Sequence, residues 1–387
     1  MTASTPTPAP APAATTEPAQ TPSFVERRRN LIIRLVGLVV SVAALWFVVR
    51  SVDLAKCADV ISHANPIPLA ACLLVVSTQV VLRSLRWRML LPQPRNGGRL
   101  RVMRIMPAML VGYLGNSVLP ARLGEPIRAY LVARREDLDV AEAFGSVVLE
   151  RVVDTATLAV LAFVAAMAVS APSWIVQATG LAAVIGVGAT GALVVIGPTP
   201  LVVICRRIVS RLPIAARVEP LMLRLDNFAR GIDRPSRSGT IVAAAAISGV
   251  CWMLDATTFW LVAQSIGAPV SPAAALLIAG VTVLGTALPS APGYVGTFDL
   301  AASTTAQAMG VAAAPALALA VLAHALTVLP TAGGGAVSLL AMNVRLGRLA
   351  DEAAAAEEPA EAEPAAEPAK PAAEPAKPTE PAAGARP

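Results

Sequence analysis

Charge is scarce in this chain. Asp, Glu, Lys and Arg make up 14% of the 387 residues, against about 25% in an ordinary soluble domain. Lysine is rarer still, since Lys56, Lys370 and Lys377 are the only lysines among 31 basic residues. None lies in a glycine-rich turn, which excludes a Walker A phosphate loop and ATP hydrolysis by that route. Histidine occurs twice, at His63 and His324, with no HExxH and no Cys/His cluster, so a zinc site is not expected and no metal is assigned. Cys57, Cys72, Cys205 and Cys251 show no CxxC spacing; most lie in or beside apolar runs, where small hydrophobic packing explains them. Residues 186–191 fit GxGxxG, but inside an apolar run with no preceding strand, where tight helix packing is the reading. No cofactor and no nucleic-acid partner is expected.

What is present is hydrocarbon. Apolar residues are 56% of the chain and the mean hydropathy is +0.65, the balance of a polytopic membrane protein. Runs long enough to cross about 30 Å of hydrocarbon occur at 31–49, 147–169, 174–196, 241–266 and 315–342, with a slightly short one at 67–82. The expected fold is therefore all-α, with about six transmembrane helices plus two broken or re-entrant segments, up to eight membrane segments in all. The membrane domain is set at 27–345. Residues 1–26 form a Pro/Ala/Thr-rich tail without the basic-then-apolar order of a signal peptide, and 346–387 form an Ala/Glu/Pro tail. Residues 1–22 are almost uncharged Pro, Ala and Thr and 351–387 carry no large apolar side chain, so both tails are expected to stay disordered.

Arginine placement gives an orientation, because short basic loops stay cytoplasmic. Arg27, Arg28 and Arg29 precede the first span, a loop over 83–104 carries seven arginines, and a loop over 201–237 carries eight from Arg206 to Arg237. All three fall on one side only if the segment before Arg122 enters the membrane and returns rather than crossing. The chain is then multi-pass in the cell membrane with both termini cytoplasmic. The 201–237 loop interleaves Leu, Val and Ile with arginine, as a helix lying on an anionic lipid surface would.

The two broken segments, 114–125 and 284–299, share one plan: an apolar run, Leu-Gly, Leu-Pro, then a glycine-bearing stretch closed by a carboxylate, Glu125 or Asp299. Interrupted segments in corresponding halves of a chain point to a transporter's binding site, and freed backbone at membrane depth is tolerated where it lines a wet cavity. The first constellation is Asn116, Pro120, Arg122, Gly124, Glu125 and Arg128, joined by Glu150, Arg151 and Asp154 on the opening turns of the next span. A charge at the bilayer centre costs about 2.5–3.5 kcal/mol, so Arg122, Glu125 and Arg128 are expected to neutralise one another or face a polar substrate. Arg151 is expected to pair with Asp154 at i+3. The second constellation is Pro289, Pro292, Gly293, Gly296 and Asp299. The two are expected to enter from opposite faces and meet near the midplane. Arginine's planar fork suits phosphate and carboxylate, so Arg122, Arg128 and Arg151 are the candidate phosphate ligands, and Glu125, Glu150, Asp154 or Asp299 the acceptors of an amine or a proton.

The strings NSVLPARLGEPIR at 116–128, LERVVD at 149–154 and LPSAPGYVGTFD at 288–299 together resemble the lysylphosphatidylglycerol synthase transmembrane-domain family, also called flippase-like or UPF0104, over about residues 30–345. One departure is Asp299, where the family more often has Glu. The resemblance implies translocation of a lipid with a polar head group. It does not carry over the synthase activity, because only the tail follows the last span. The expectation is a non-enzymatic lipid flippase or transporter whose partner is its membrane lipid substrate, with a homo-oligomer left open. Two rivals are an intramembrane enzyme using Glu125 and Asp299 as acid and base, which lacks a nucleophile beside them, and a membrane scaffold, which leaves the intramembrane charges unexplained.

Overall fold

The computed structural model describes residues 39, 42–44, 46–47, 50, 52–119, 122–210, 215–237, 239–286 and 290–357. The expected span 31–49 and the expected tails fall largely outside them. The described residues form helices without strands: α1 (Leu54–Ser62), α2 (Pro66–Leu90), α3 (Val102–Val118), α4 (Gly124–Glu136), α5 (Val140–Ala168), α6 (Ser173–Val195), α7 (Thr199–Val209), α8 (Ala215–Arg237), α9 (Thr240–Ser265), α10 (Pro272–Gly285), α11 (Thr297–Ala308), α12 (Ala313–Met342) and α13 (Leu346–Glu357). The starts follow local chemistry. Asn65 and Ser271 cap α2 and α10 through their side-chain oxygens, each with proline in the first turn, and Asp139 accepts from the Glu142 amide at the head of α5. Such caps satisfy amides that have no partner within the helix.

Helices α2, α6, α9 and α12 are long and apolar enough to cross a membrane, and the fold is an all-α polytopic membrane protein. Helix α5, 29 residues long, buries its carboxylates Glu142, Glu150 and Asp154 in the bundle. α2 differs from its expected extent. It runs to Leu90 rather than stopping at 82, so Arg83 and Arg86 lie inside a membrane helix and not in a loop, with Arg86 fully buried.

Both broken segments are helical hairpins. α3 packs on α4 and α10 on α11. With 17, 13, 14 and 12 residues, these helices are about 18–25 Å long at 1.5 Å per residue, each shorter than the hydrocarbon core of about 30 Å. Helix α12 orders the two hairpins along its length. Its first half, Ala316 to Ala323, packs in one cluster with Ala275 and Ile278 of α10 and Phe298 and Ala302 of α11. Its far end, at Leu339, packs with Ile105 and Met109 of α3 and Ile127 of α4. The base of the first hairpin lies beside the end of α12, where the Arg135 guanidinium is 2.6 Å from the Met342 sulfur. The hairpins therefore enter from opposite ends of α12 and meet between.

The region after 345 departs from the sequence reading. Residues 346–357 are helix α13, with Leu349 and Ala353 buried on the first hairpin and Tyr130 donating to Glu352 at 3.0 Å. The last large apolar residues before the Ala/Glu/Pro repeat supply that contact.

Candidate functional site

The first tip is set by close backbone approach. Asn116 Oδ1 accepts the Gly124 amide at 3.0 Å, tying the end of α3 to the start of α4. A Cβ at Gly124 would lie 1.9 Å from the Gly112 carbonyl oxygen and 2.6 Å from Asn116 Oδ1, so no other residue fits this crossing. Arg122 precedes α4 in the left-handed region at φ 56°, and its side chain leaves the first hairpin for the second. Its Nη2 donates to the Thr286 carbonyl at 2.6 Å, and its guanidinium carbon lies 5.5 Å from the Tyr294 ring centre. Pro120 and Pro289 lie outside the described residues.

Among its described residues the second tip holds a 3₁₀ turn, Pro292–Tyr294, with Gly293 and Tyr294 at positive φ, as is Gly296 just beyond it. Pro292 opens the turn. A Cβ at Gly293 would stand 3.3 Å from the Ser117 carbonyl oxygen of the first tip. Asp299 Oδ2 accepts the Gly296 amide at 3.1 Å, and Oδ1 lies 3.2 Å from His324 Nδ1. Asp299 thus holds the turn and the head of α11, and pairs with a histidine of α12.

Behind the tips the charges form two tiers. In the buried tier Arg86 Nη2 donates to Glu150 Oε1 at 2.6 Å, and its Nη1 donates to Asp154 and to Ser248. Arg128 Nη2 donates to Glu150 Oε2 at 2.9 Å, and its guanidinium lies 4.7 Å from the Trp87 ring centre. Arg86 is 2% exposed and Glu150 3%. The carboxylates of this tier are matched by its guanidiniums, which fastens α2, α4, α5 and α9 together, while the buried Nε of Arg86 and of Arg128 has no hydrogen-bond partner among the described residues. The second tier is less buried. Arg151 Nε lies 2.8 Å from Glu125 Oε1, with side chains 34% and 19% exposed, and Arg83 pairs with Asp255 at 2.6 Å with side chains 16% and 14% exposed.

The expected pairings are therefore exchanged. Arg128 pairs with Glu150 and not Glu125, Glu125 takes Arg151, and Asp154 takes Arg86 instead of Arg151, because α2 brings Arg86 between the two carboxylates of α5. Arg122 is left, among the described residues, with no carboxylate within ion-pair distance. Sequence reasoning missed Arg83, Arg86, Asp255, Tyr294 and His324. A signal for two of them existed: Gln79, Arg83, Arg86, Trp87 and Leu90 fall at helical spacing along one face, so the arginines continue the span. Asp255 stands alone in an apolar run, which called for a cation from another helix.

A cavity of about 720 Å³ opens elsewhere, between the end of α2, the start of α5 and α8. It is lined by Arg95, Asp139, Glu142, Asn227 and Arg230, among others. Its arginines are paired, Arg95 with Asp139 at 2.9 Å and Arg230 with Glu142 at 3.1 Å. Glu142 is about two turns along α5 from Glu150, so this cavity is not the space between the tips.

The model of the family described as "Lysylphosphatidylglycerol synthase TM region" matches residues 34–334. The chain belongs to that family. The match takes in both hairpins and every paired charge of the two tiers. The chain is also similar to "Glycosyltransferase AglD" of Haloferax volcanii, 27% identical over 350 residues, which cover 82% of this chain and 56% of that protein. The chain thus spans little more than half of this relative's length. A relative named as a glycosyltransferase overturns the expectation that the chain is no enzyme. That expectation rested on the missing nucleophile beside Glu125 and Asp299, and group transfer to a lipid acceptor needs no nucleophile from the protein.

Proposed function

We propose that this family member moves a lipid with a phosphate-bearing head group across the membrane, the head group passing between the two hairpin tips. The observation that carries the reading is Arg122. It sits where the tips meet, held by a carbonyl and an aromatic ring, with no carboxylate of the described residues within ion-pair distance. Glu125, three residues on from Arg122, is taken by Arg151 in the part-exposed tier. An unneutralised guanidinium at membrane depth is stabilised by an anion, and its fork matches phosphate. The acyl chains would stay in lipid while the head group crosses the polar gap.

The cytoplasmic face is proposed to be the end that carries the first hairpin's base. The segment after α2, the 201–237 region and α13 support this, since arginine-rich connections favour that side and the cavity brings the end of α2 against α8. The test is reconstitution of the full chain in liposomes with a head-group-labelled phospholipid. Movement between leaflets that is lost in Arg122→Ala supports the reading, and movement no faster than in protein-free liposomes overturns it. A second reading, favoured by the relative named as a glycosyltransferase, is that the domain presents a lipid-linked phosphate for glycosyl transfer. Mass analysis of the lipid head group in the same liposomes, supplied with an activated sugar, separates the two.

A further inference from the structure

His324 lies on α12 between the segments that hold the two hairpins, and both of its ring nitrogens face oxygen acceptors. Nε2 is 2.8 Å from the Gly293 carbonyl oxygen and Nδ1 is 3.2 Å from Asp299 Oδ1. A carbonyl oxygen only accepts, and so does an ionised carboxylate, whereas a neutral imidazole carries a single N–H. One proton therefore satisfies one contact. The second contact requires another proton, on Nδ1 or on Asp299. Asp299 cannot turn away freely, because its other oxygen accepts the Gly296 amide. Nor can the ring, which stacks on Phe298 at 4.3 Å between centres, with Phe259 stacked beyond it.

No other titratable group of the described residues lies within hydrogen-bond or ion-pair distance of His324. Of the elements packed against α12, α2 and α9 bring Arg83 and Asp255, which pair with each other, and α3 brings Tyr113 and Arg104, the latter 3.8 Å from Glu136. The turn brings Tyr294, which lies under Arg122. On α1, Lys56 pairs with Asp53 and His63 with Asp59.

We propose that the Asp299–His324 pair is a proton-binding site and that its proton latches the second hairpin tip, which makes protons the coupling ion of translocation. The coupling rests on the translocation reading; the latch does not. The proton is taken from water and returned to it, and only an N–H or O–H bond changes. When it leaves, a nitrogen lone pair faces either the Asp299 carboxylate or the Gly293 carbonyl, and that contact becomes repulsive. Gly293 adjoins Tyr294, so the release is felt where the tip meets Arg122. Pro330, six residues beyond His324 in α12, removes a backbone hydrogen bond from the helix that joins the hairpins and gives it a place to bend.

The chain has two histidines, so ¹⁵N-histidine labelling of the full protein in lipid nanodiscs gives two imidazoles, assigned with His63→Gln. Spin labels at Val118 and Val295, exposed residues on the two tips, report their separation. Across a pH series on the same sample, loss of one proton at the His324–Asp299 pair is expected to coincide with a longer tip distance. In His324→Gln, which cannot titrate, the distance is expected not to change with pH. In Asp299→Asn, whose amide can donate to Nδ1, His324 is expected to stay neutral throughout. A His324 imidazole ¹⁵N spectrum that is the same at every pH overturns the proposal, as does a tip movement that persists in His324→Gln. Neither readout needs lipid movement, so a failed latch and a failed translocation reading are told apart. In proteoliposomes that do move lipid, an imposed pH gradient is expected to change the rate in the wild type and not in His324→Gln; equal wild-type rates with and without the gradient overturn the coupling.

Discussion

Glu150→Gln and Glu125→Gln remove the same charge from the two tiers, and the two-tier arrangement requires them to fail differently. Glu150 accepts from Arg86 at 2.6 Å and from Arg128 at 2.9 Å, all three almost fully buried. Stripping the carboxylate leaves two guanidiniums short of a partner away from water, and breaking a buried pair in this way costs about 3–5 kcal/mol. With roughly 2–4 °C lost per kcal/mol in a domain of a few hundred residues, the apparent Tm should fall on the order of 10 °C. Glu125 pairs once, with an Arg151 that is one-third exposed, and such pairs contribute about 0.2–1 kcal/mol. Its loss should leave Tm within a few degrees yet stop translocation, because it borders the gap. Thermal scans of purified protein at one fixed heating rate, alongside liposome translocation, read both quantities. Equal Tm losses in the two variants, or a fully active Glu125→Gln, would refute the division into a fastening tier and a working tier.

Gly124→Ala should lower yield and Tm sharply, since the new Cβ would meet the Gly112 carbonyl at 1.9 Å, whereas Gly188→Ala, with open space around it, should be neutral by the same thermal scan. Arg86→Lys should behave like a loss and not a conservative change, because one ammonium cannot span Glu150, Asp154 and Ser248 as the guanidinium does; a Tm equal to wild type would count against it. Asp299→Asn should impair translocation while Asp299→Glu is tolerated, as liposome rates will show. Cys205, the one exposed cysteine of the described residues, should resist an impermeant thiol reagent on intact cells, and labelling from outside would reverse the proposed orientation.

The hairpin breaks were legible because proline and glycine act locally and their spacing repeats. The charges at the first break were legible too, since Arg122, Glu125 and Arg128 stand close together in an otherwise apolar stretch. Their partners were not. Arg86 reaches Glu150 and Asp154 across 64 and 68 residues, and Arg83 reaches Asp255 across 172, separations that no window of sequence connects. Reading Arg83 and Arg86 as a loop followed from an apolar run that ends at 82, while the helix runs on because buried carboxylates on α5 and α9 stabilise both arginines within it. His324 carried no signal beyond its isolation. Only the turn at Gly293 and the carboxylate of Asp299 give it a role.

The central claim, that the head group passes between the tips, is tested most directly by locking them. Cysteines at Val118 and Val295, in a chain whose four native cysteines are replaced, would be bridged by a short reducible crosslinker, and lipid translocation measured in liposomes before bridging, after it, and after reduction. Passage between the tips predicts that bridging stops translocation and that reduction restores it. Translocation at the full rate with the tips bridged would contradict it.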